Sequence, residues 1–582
     1  MKNPRTKRIL LACVLAAGIL FLALLCFYHL DYGELMDWDE ARHGVSAYEM
    51  LQTGEPIVTT YAYSPDYWNL KPPLSEWLIA LGYKLFGYNA YGLRFFSGVS
   101  MFLSTLLCAA FLWKRYGKTE AVFSLFAFAS CGKLFYYHAA RNGDADALFI
   151  FCYTIAVLCL CESHRKFSWT YGACLAFSFA FLAKGWHAGT IALLVLLTLL
   201  FTGRFSQMRL KHYALCALSS LGPAGLWALT RWRKDGLSFL ISMFTYDVVN
   251  RATGSLENHA APVYFYLGVL GRSVSSIFLI LLSLFGLVLL LRSNAFRQRS
   301  APFYDALVCV LAVLVPFVLF SAASSKLFWY ILCVYPAIVL LSALAVHQAK
   351  HRFPSAAWPK LLLTLSLGLV VCFSAHNVWR YALEPSRSVT GLSLLLADCS
   401  TPAKAHYYID AGKWQQIKLM ETEWLTDAIP CDGGAEVFAA DISDDALTVA
   451  AENFQQLGAA VTLRKADALN GLEEAFPERF DAIVSNPPYV PESDRAAMHV
   501  NVRDYEPPEA LFVPDDDPLR FYRAIGRAAR RLLRPDGRLW FEIYERLADE
   551  TARLLADEGF GDIAVRRDIN DKPRILCCTA RK

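Results

Sequence analysis

Long segments without charged residues constrain this chain more than any other feature of its sequence. Residues 9–28 are uncharged, and about twenty residues rising about 1.5 Å each cross a bilayer core of about 30 Å. Lys2, Arg5, Lys7 and Arg8 precede this segment, which predicts a cytoplasmic N-terminus by the positive-inside rule. Further apolar segments lie at 92–113, 119–136, 147–161, 168–183, 187–203, 213–230, 263–292, 304–321, 327–347 and 361–378. We therefore predict an α-helical polytopic protein of the inner (cell) membrane with about eleven spans.

The chain divides into two modules of different composition. Residues 1–430 hold about 36 basic and 23 acidic residues, whereas residues 431–582 hold about 20 basic and 29 acidic residues. The first module is apolar and net basic, and the second is polar and net acidic. A hydrophobic content of 55% excludes a disordered chain or a nucleic-acid-binding arm, so we expect no nucleic-acid partner. The predicted domains are 1–380, a junction at 381–433, and 434–582.

The loops that this topology places outside the membrane collect the charged motifs. Such charges are costly at a membrane and point to function. The loops contain Asp37 to His43, Asn69 to Pro73, Arg141 to Asp146, Lys184 to His187, Asn250 to Pro262 and Ser324 to Tyr330. Carboxylates beside Lys and Arg suit a reaction that activates an acceptor hydroxyl or amine while cations hold a phosphate leaving group. The alternative is that these residues only anchor and pack the loops.

These motifs, as a set, resemble those of a known family. The signature Asp39-Glu40-Ala41-Arg42, the turn Lys71-Pro72-Pro73, and the later residues Arg141 to Asp146, Lys184-Gly185, His259, Tyr266 and Ser325 to Tyr330 carry the resemblance. They look like the membrane glycosyltransferases that use polyprenyl-phosphate sugars. Their order is most similar to the lipid A aminoarabinose transferase branch of the protein mannosyltransferase-like superfamily. The resemblance covers roughly residues 1–380.

The resemblance implies a role for each matching residue. Asp39 would be the acceptor-side catalytic carboxylate, and Asp144 or Asp146 the second acidic group. The groups expected around the donor phosphate are Arg42, Lys71, Lys184 and Tyr330. An arginine suits that place because its planar fork matches phosphate geometry. The implied partners are a polyprenyl-phosphate sugar donor and a lipid or glycan acceptor on the extracytoplasmic face, with no nucleotide needed.

Two positions depart from the pattern of that branch. A glutamate that would help a histidine bind a divalent metal is replaced by Leu70, which leaves His259 without that partner. A lone histidine is more often a packing residue than a ligand, so His259 is only a possible metal ligand and no cofactor is certain. His43 stands where we expect tyrosine. Both departures indicate a different sugar or acceptor.

The second module shows an alternating strand and helix pattern. We predict strands at 437–441, 460–464, 480–485 and 539–543, and helices at 443–456 and 518–533. This pattern is typical of an α/β domain with a parallel core. Asp441 ends the first of these strands, where an acidic residue binds ribose hydroxyls in many α/β proteins.

A more specific motif follows the strand at 480–485. Two prolines in the turn Asn486-Pro487-Pro488-Tyr489 fix the backbone so that the Asn486 side chain can bind a planar nitrogen. With Asp467-Ala468, Tyr505-Glu506-Pro507 and Leu533 to Gly537, the region resembles the release-factor glutamine methyltransferases. The resemblance implies that Asn486, Pro487, Pro488 and Tyr489 hold the substrate glutamine. Asp441 and Asp467 would bind S-adenosylmethionine.

The methyltransferase pattern is incomplete. Residues 418–432, where that family has a glycine-rich cofactor turn after its first strand, contain no glycine. The first strand is normally central, so its loss leaves neighbouring strands unpaired or paired with a substitute. An odd number of spans also places this module outside, away from S-adenosylmethionine and release factors.

Three functions therefore compete. The favoured one is a polyprenyl-phosphate-sugar transferase. The alternatives are a glutamine methyltransferase, which we expect to be inactive, and an inactive fusion of two remnants that acts only as a binding or structural protein. The sequence identifies neither the sugar nor its acceptor.

Overall fold

The computed structural model separates the chain into two compact units, Met1–Pro430 and Cys431–Lys582. It describes residues 4–32, 35–36, 38–136, 138–246, 261–353, 357–384, 436–457, 461–498, 506–567 and 572–580. His259 and most of the predicted junction 381–433 lie outside the described residues. Each unit is described by itself.

The N-terminal unit is almost entirely helical. Its helices are α1 Pro4–Phe27, α2 Asp39–Thr53, α3 Leu74–Phe86, α4 Ala90–Arg115, α5 Lys118–Ser130, α6 Lys133–Tyr136, α7 Asp146–Ser163, α8 Trp169–Lys184, α9 Gly189–Phe201, α10 Leu210–Asp235, α11 Ser238–Phe244, α12 Phe265–Gly271, α13 Val274–Leu291, α14 Asn294–Arg297, α15 Ala301–Ala322, α16 Tyr335–Arg352 and α17 Trp358–Val378. A hairpin of two short strands, β1 Thr60–Tyr61 and β2 Ser64–Pro65, lies between α2 and α3. We call the end of the bundle that carries residues 28–90 the first-loop end.

Nine helical runs in the described part of the chain are long and apolar enough to cross a membrane. One of them, Trp169–Phe201, makes two passes. Lys184 contacts Asp146 at the start of α7, whereas Arg204, just after the run, donates to the carbonyl oxygen of Ser163 at the end of α7. The chain therefore reaches one end of α7 and returns to the other.

A further pass is made by α5, which has only 13 residues. Near its start, His347 lies 3.3 Å from a carboxylate oxygen of Glu120, and near its end the Asn377 amide donates to the Ala129 carbonyl. His347 lies in the last two turns of α16 and Asn377 in the last turn of α17, so these contacts lie at opposite ends of the bundle. Counting both additional passes gives the eleven that hydropathy predicts.

The apolar core of this unit is built around the run Phe328–Arg352, which is buried along most of its length. The outer helices α1 and α10 expose most of their apolar side chains; Leu210 and Leu218, for example, are 85% and 68% exposed. Such exposure is costly in water but not against lipid tails. The pattern agrees with a bundle embedded in a bilayer.

The described residues of the C-terminal unit form three separate sheets, two of two strands and one of four, as expected of an incomplete α/β domain. Its elements are β3 Val437–Asp441, α18 Asp444–Leu457, β4 Val461–Lys465, α19 Leu472–Ala475, β5 Phe480–Ser485, β6 Val490–Pro491, α20 Pro508–Leu511, β7 Phe512–Val513, α21 Arg520–Leu532, β8 Leu533–Glu542, α22 Ala548–Asp557, β9 Phe560–Arg567 and β10 Pro573–Ala580. β3 pairs with β4 in parallel. The larger sheet has the order β5-β8-β10-β9, in which only β5 and β8 are parallel. The predicted strands and helices are confirmed.

β3 and β5 do not pair with each other, and among the described residues no strand lies between them. Their side chains share an apolar layer, in which the rings of Phe438 and Phe480 are 5.5 Å apart. Val484 in β5 is 78% exposed, although strands of a parallel core are normally buried. The segment 418–432, which corresponds to the first strand and turn of the resembling family, lies outside the described residues.

Candidate active site

Three chain segments meet at the first-loop end of the bundle to form a cluster of charged side chains. Asp39 begins α2, where the positive end of the helix dipole favours a carboxylate. Lys71 lies in the loop that Pro72 and Pro73 lead into α3. Asp144 lies just before α7. Residues far apart in sequence are thereby brought within contact distance.

The Lys71 ammonium is the centre of this cluster. Its Nζ lies 3.0 Å from Asp39 Oδ1, 3.4 Å from His43 Nε2 and 3.8 Å from Asp144 Oδ1. The side chains of Lys71 and Asp39 are 20% and 27% exposed, whereas that of Asp144 is only 1% exposed. Asp39 and Lys71 therefore form the accessible part of the cluster, and Asp144 and His43 support them from within.

His138 is a member of the cluster that sequence reasoning missed. Its Nδ1 lies 2.6 Å from Asp144 Oδ2, and its ring stacks on Trp329 with centroids 3.7 Å apart. Its backbone has φ of 50°, an uncommon conformation that needs support from the surrounding structure. The only sequence signal was its position six residues before Asp144 in the same loop.

Charge pairing outweighs burial in setting the ionisation of these groups. Burial alone would raise the pKa of Asp39 and Asp144, but the neighbouring Lys71 ammonium lowers both, and that of Asp144 lies well below its usual value. Burial would lower the pKa of Lys71 and His138, yet Asp39 and Asp144 raise that of Lys71. The hydrogen bond to Asp144 raises the pKa of His138. At neutral pH Asp39 is a carboxylate beside an ammonium ion.

A second ion pair lies deeper in the same region. Lys184, which ends α8, contacts Asp146, and both side chains are almost fully buried. The Lys184 Nζ also lies 5.5 Å from the centroid of the Tyr330 ring. The structure thus brings together three of the predicted residues, Asp146, Lys184 and Tyr330.

Arg42 is not brought into the Lys71 cluster. Its Nε and Nη2 donate to the two carboxylate oxygens of Asp66 at 2.7 and 2.8 Å. Its guanidinium carbon lies 4.1 Å from the Tyr61 ring centroid and 4.7 Å from that of Trp68. These contacts hold the loop that precedes Lys71, and the donor-phosphate role that the resemblance implies for Arg42 stays a prediction.

A buried carboxylate fixes the geometry of the whole site. Glu40 accepts hydrogen bonds from Arg94 Nε at 2.6 Å, Arg94 Nη2 at 2.9 Å, and the backbone N–H groups of Gly143 and Met36 at 2.8 Å. A side chain at Gly143 would approach Leu93 to 2.6 Å, so only glycine fits there. Glu40 thus ties α2 to α4 and to the loop that carries Asp144.

The metal site that His259 would form stays a prediction. Leu70 is buried and offers no ligand atom, and His259 lies outside the described residues. Among the described residues, Asp39, His138 and Asp144 place ligand-type atoms within 4.8 Å of one another. Lys71 contacts both of these carboxylates, and His138 contacts Asp144.

The predicted methyltransferase residues follow the carboxyl ends of three strands. Asp441 and Asp467 each accept a hydrogen bond from a backbone N–H two residues further on, at 2.8 Å. The Asn486 side chain is exposed after β5, whereas Pro487 is buried and Pro488 is half-buried. The Tyr489 hydroxyl donates to Glu542 at 2.8 Å, which fixes the turn against β8.

Comparison with known proteins gives the N-terminal unit its context. Residues 70–227 match the family of dolichyl-phosphate-mannose-protein mannosyltransferases. The crystal structure of ArnT from Cupriavidus metallidurans bound to undecaprenyl phosphate superposes with a TM-score of 0.52 at 15% identity, covering 99% of this chain and 98% of that one. The chain has an ArnT-like fold. An uncharacterized protein of Aquifex aeolicus is 28% identical over 61% of this chain and 79% of its own length. The N-terminal part therefore resembles the polyprenyl-phosphate-sugar glycosyltransferases, as its motifs predict.

The C-terminal unit has relatives of a different kind. Residues 430–502 match the methyltransferase small domain. The release factor glutamine methyltransferase of Bacteroides thetaiotaomicron is 46% identical over 144 residues, which are 24% of this chain and 51% of that protein. The chain thus spans about half the length of this curated relative. This part resembles a truncated glutamine methyltransferase.

Proposed function

We propose that the chain is a membrane glycosyltransferase that moves a sugar from a polyprenyl-phosphate donor to a lipid or glycan acceptor. The observation that carries this proposal is the partly exposed Asp39–Lys71 pair, 3.0 Å apart, at one end of an ArnT-like bundle. A base and a cation side by side provide the two functions that such a transfer needs. The positive-inside rule assigns the site to the extracytoplasmic face.

In the proposed reaction, the Asp39 carboxylate accepts the proton of an acceptor hydroxyl. The acceptor oxygen then forms a bond to the anomeric carbon, and the bond between that carbon and the phosphate oxygen breaks. The electron pair leaves with the polyprenyl phosphate. A carboxylate whose pKa is lowered by Lys71 is ionised at neutral pH and available as the base.

Lys71 and Lys184 are the groups best placed to stabilise the leaving phosphate. Lys71 is accessible beside Asp39, and Lys184 approaches the same region from α8 beneath the Tyr330 ring. We assign Arg42 a positioning role, because its guanidinium pairs with Asp66 and lies over the rings of Tyr61 and Trp68.

The test uses the purified full chain in nanodiscs with a panel of undecaprenyl-phosphate-linked hexoses and pentoses, and with membrane lipids and glycans as acceptors. We expect Asp39→Asn to reduce the release of undecaprenyl phosphate by about 100-fold or more, because a positioned base contributes that much. Asp31→Asn, an exposed carboxylate in the same loop, is the matched control and should keep full activity. Equal turnover by both variants contradicts the proposal.

The likeness of the C-terminal unit to methyltransferases supports a second candidate function, glutamine methylation. We infer that this function is lost, because β3 and β5 do not pair and residues 418–432 contain no glycine. A release factor would be a partner only if S-adenosylmethionine were bound. Calorimetric titration of the full chain with S-adenosylmethionine should show no binding; micromolar affinity would revive this function.

A further inference from the structure

A continuous stack of planar side chains lies beside the Asp39–Lys71 pair. The Arg42 guanidinium carbon lies 4.1 Å from the centroid of the Tyr61 ring and 4.7 Å from that of the Trp68 ring. The Trp68 ring in turn packs on Trp38, with centroids 5.3 Å apart and planes inclined by 31°. The stack therefore runs from Tyr61 to Trp38, the residue immediately before Asp39.

The stack is held rigidly. Asp66 binds Arg42 through two hydrogen bonds and also accepts from the backbone N–H groups of Trp68 and Asn69 at 2.9 and 3.1 Å. Both charged groups of this pair are nearly buried, with side chains 12% and 1% exposed. A preorganised surface of this kind loses little conformational entropy when a ligand binds.

The outer end of the stack is open to solvent. Trp38 and Trp68 are 38% and 41% exposed, although large aromatic side chains are normally well buried. Trp38 also has φ of 68° and ψ of −102°, a backbone conformation that costs a bulky residue about 1–3 kcal/mol. A tryptophan that only anchors a loop at the membrane surface needs no such conformation, so the strain favours a specific position for this ring.

We propose that Trp38 and Trp68 form a stacking platform for a sugar ring of the acceptor. This inference rests on the proposed function and narrows its acceptor to a carbohydrate, either a glycan or the saccharide headgroup of a lipid. A pyranose ring presents a flat face of C–H groups that packs on an indole, and its hydroxyl groups remain free to reach the adjacent Asp39. A peptide hydroxyl or a simple phospholipid headgroup has no such face.

The experiment measures binding of the fluorescently labelled full chain, in nanodiscs, to an array of immobilised glycans. Affinity for the best-bound glycan is then measured for Trp38→Leu and Trp38→Phe. Leucine keeps apolar bulk but removes the flat ring, so we expect about a tenfold rise in Kd for Trp38→Leu. Trp38→Phe should stay within about threefold of the wild type.

Two controls separate the platform from other effects. Trp379→Leu changes an indole that is 55% exposed at the first-loop end of α17, and it should bind like the wild type. Turnover of Asp39→Asn is measured separately and tests the base alone, so failure of the proposed function and failure of the platform are distinguishable. Absence of glycan binding by the wild type, or equal loss in Trp38→Leu and Trp379→Leu, overturns the proposal.

Discussion

Replacing Glu40 by glutamine tests whether one buried carboxylate holds the active site together. Glutamine has nearly the same shape, but it replaces one acceptor oxygen by a donor –NH₂ group. Each carboxylate oxygen of Glu40 accepts two of its four hydrogen bonds. In the glutamine variant, the –NH₂ group would point at the two N–H donors that bonded to the oxygen it replaces. Arg94 is 2% exposed, so its charge would stay buried without compensation. Breaking such a buried pair costs about 3–5 kcal/mol.

The free energy of unfolding is measured for the full chain in mixed micelles titrated with sodium dodecyl sulfate. Glu40→Gln should lose about 3–5 kcal/mol, and adding Arg94→Met should restore part of it, because the uncompensated charge is then removed. The matched control is Glu55→Gln, which breaks the exposed pair with Lys234 and should cost at most about 1 kcal/mol. Equal losses for the two glutamate variants would refute the argument.

Three further predictions follow from the same contacts. In Lys71→Met the pKa of Asp39 should rise, since burial and Asp144 both raise it, so the acid limb of the pH–rate profile should shift to higher pH than in the wild type. Arg141→Ala removes hydrogen bonds to three carbonyl oxygens at the end of α1 and should lower the free energy of unfolding by about 1–3 kcal/mol. The loss in Arg141→Lys should lie between those of the wild type and Arg141→Ala. A topology reporter fused after residue 384 should be extracytoplasmic, because eleven passes separate it from the N-terminus.

Most of the fold could be predicted because it depends on local sequence properties. A hydrocarbon core sets the length of each apolar segment, so hydropathy alone gave all eleven passes, including the short α5. In the C-terminal unit, the alternation of strands and helices was equally clear. The sequence lacks a glycine turn at 418–432, and among the described residues β3 and β5 lie in separate sheets.

The contacts of the site were less predictable because they join residues distant in sequence. Asp39, Lys71 and Asp144 could be grouped because their loops share one face of the membrane. No periodicity, however, indicates that Arg42 pairs with Asp66 rather than with a phosphate, or that Glu40 binds Arg94, 54 positions away. His138 carried no motif and was found only through its 2.6 Å contact with Asp144.

The short passes α8 and α9 affect the surrounding membrane. They contain 16 and 13 residues, about 24 and 20 Å of helix, compared with a hydrocarbon thickness of about 30 Å. Leu196 and Leu200 on α9 are 42% and 49% exposed, so lipid tails contact an apolar surface that is shorter than the hydrocarbon thickness of the bilayer. The bilayer adapts to such hydrophobic mismatch by thinning. A thinned leaflet beside Lys184 brings lipid phosphates closer to the depth of the site, so substrate delivery should depend on the chain length of the host lipids.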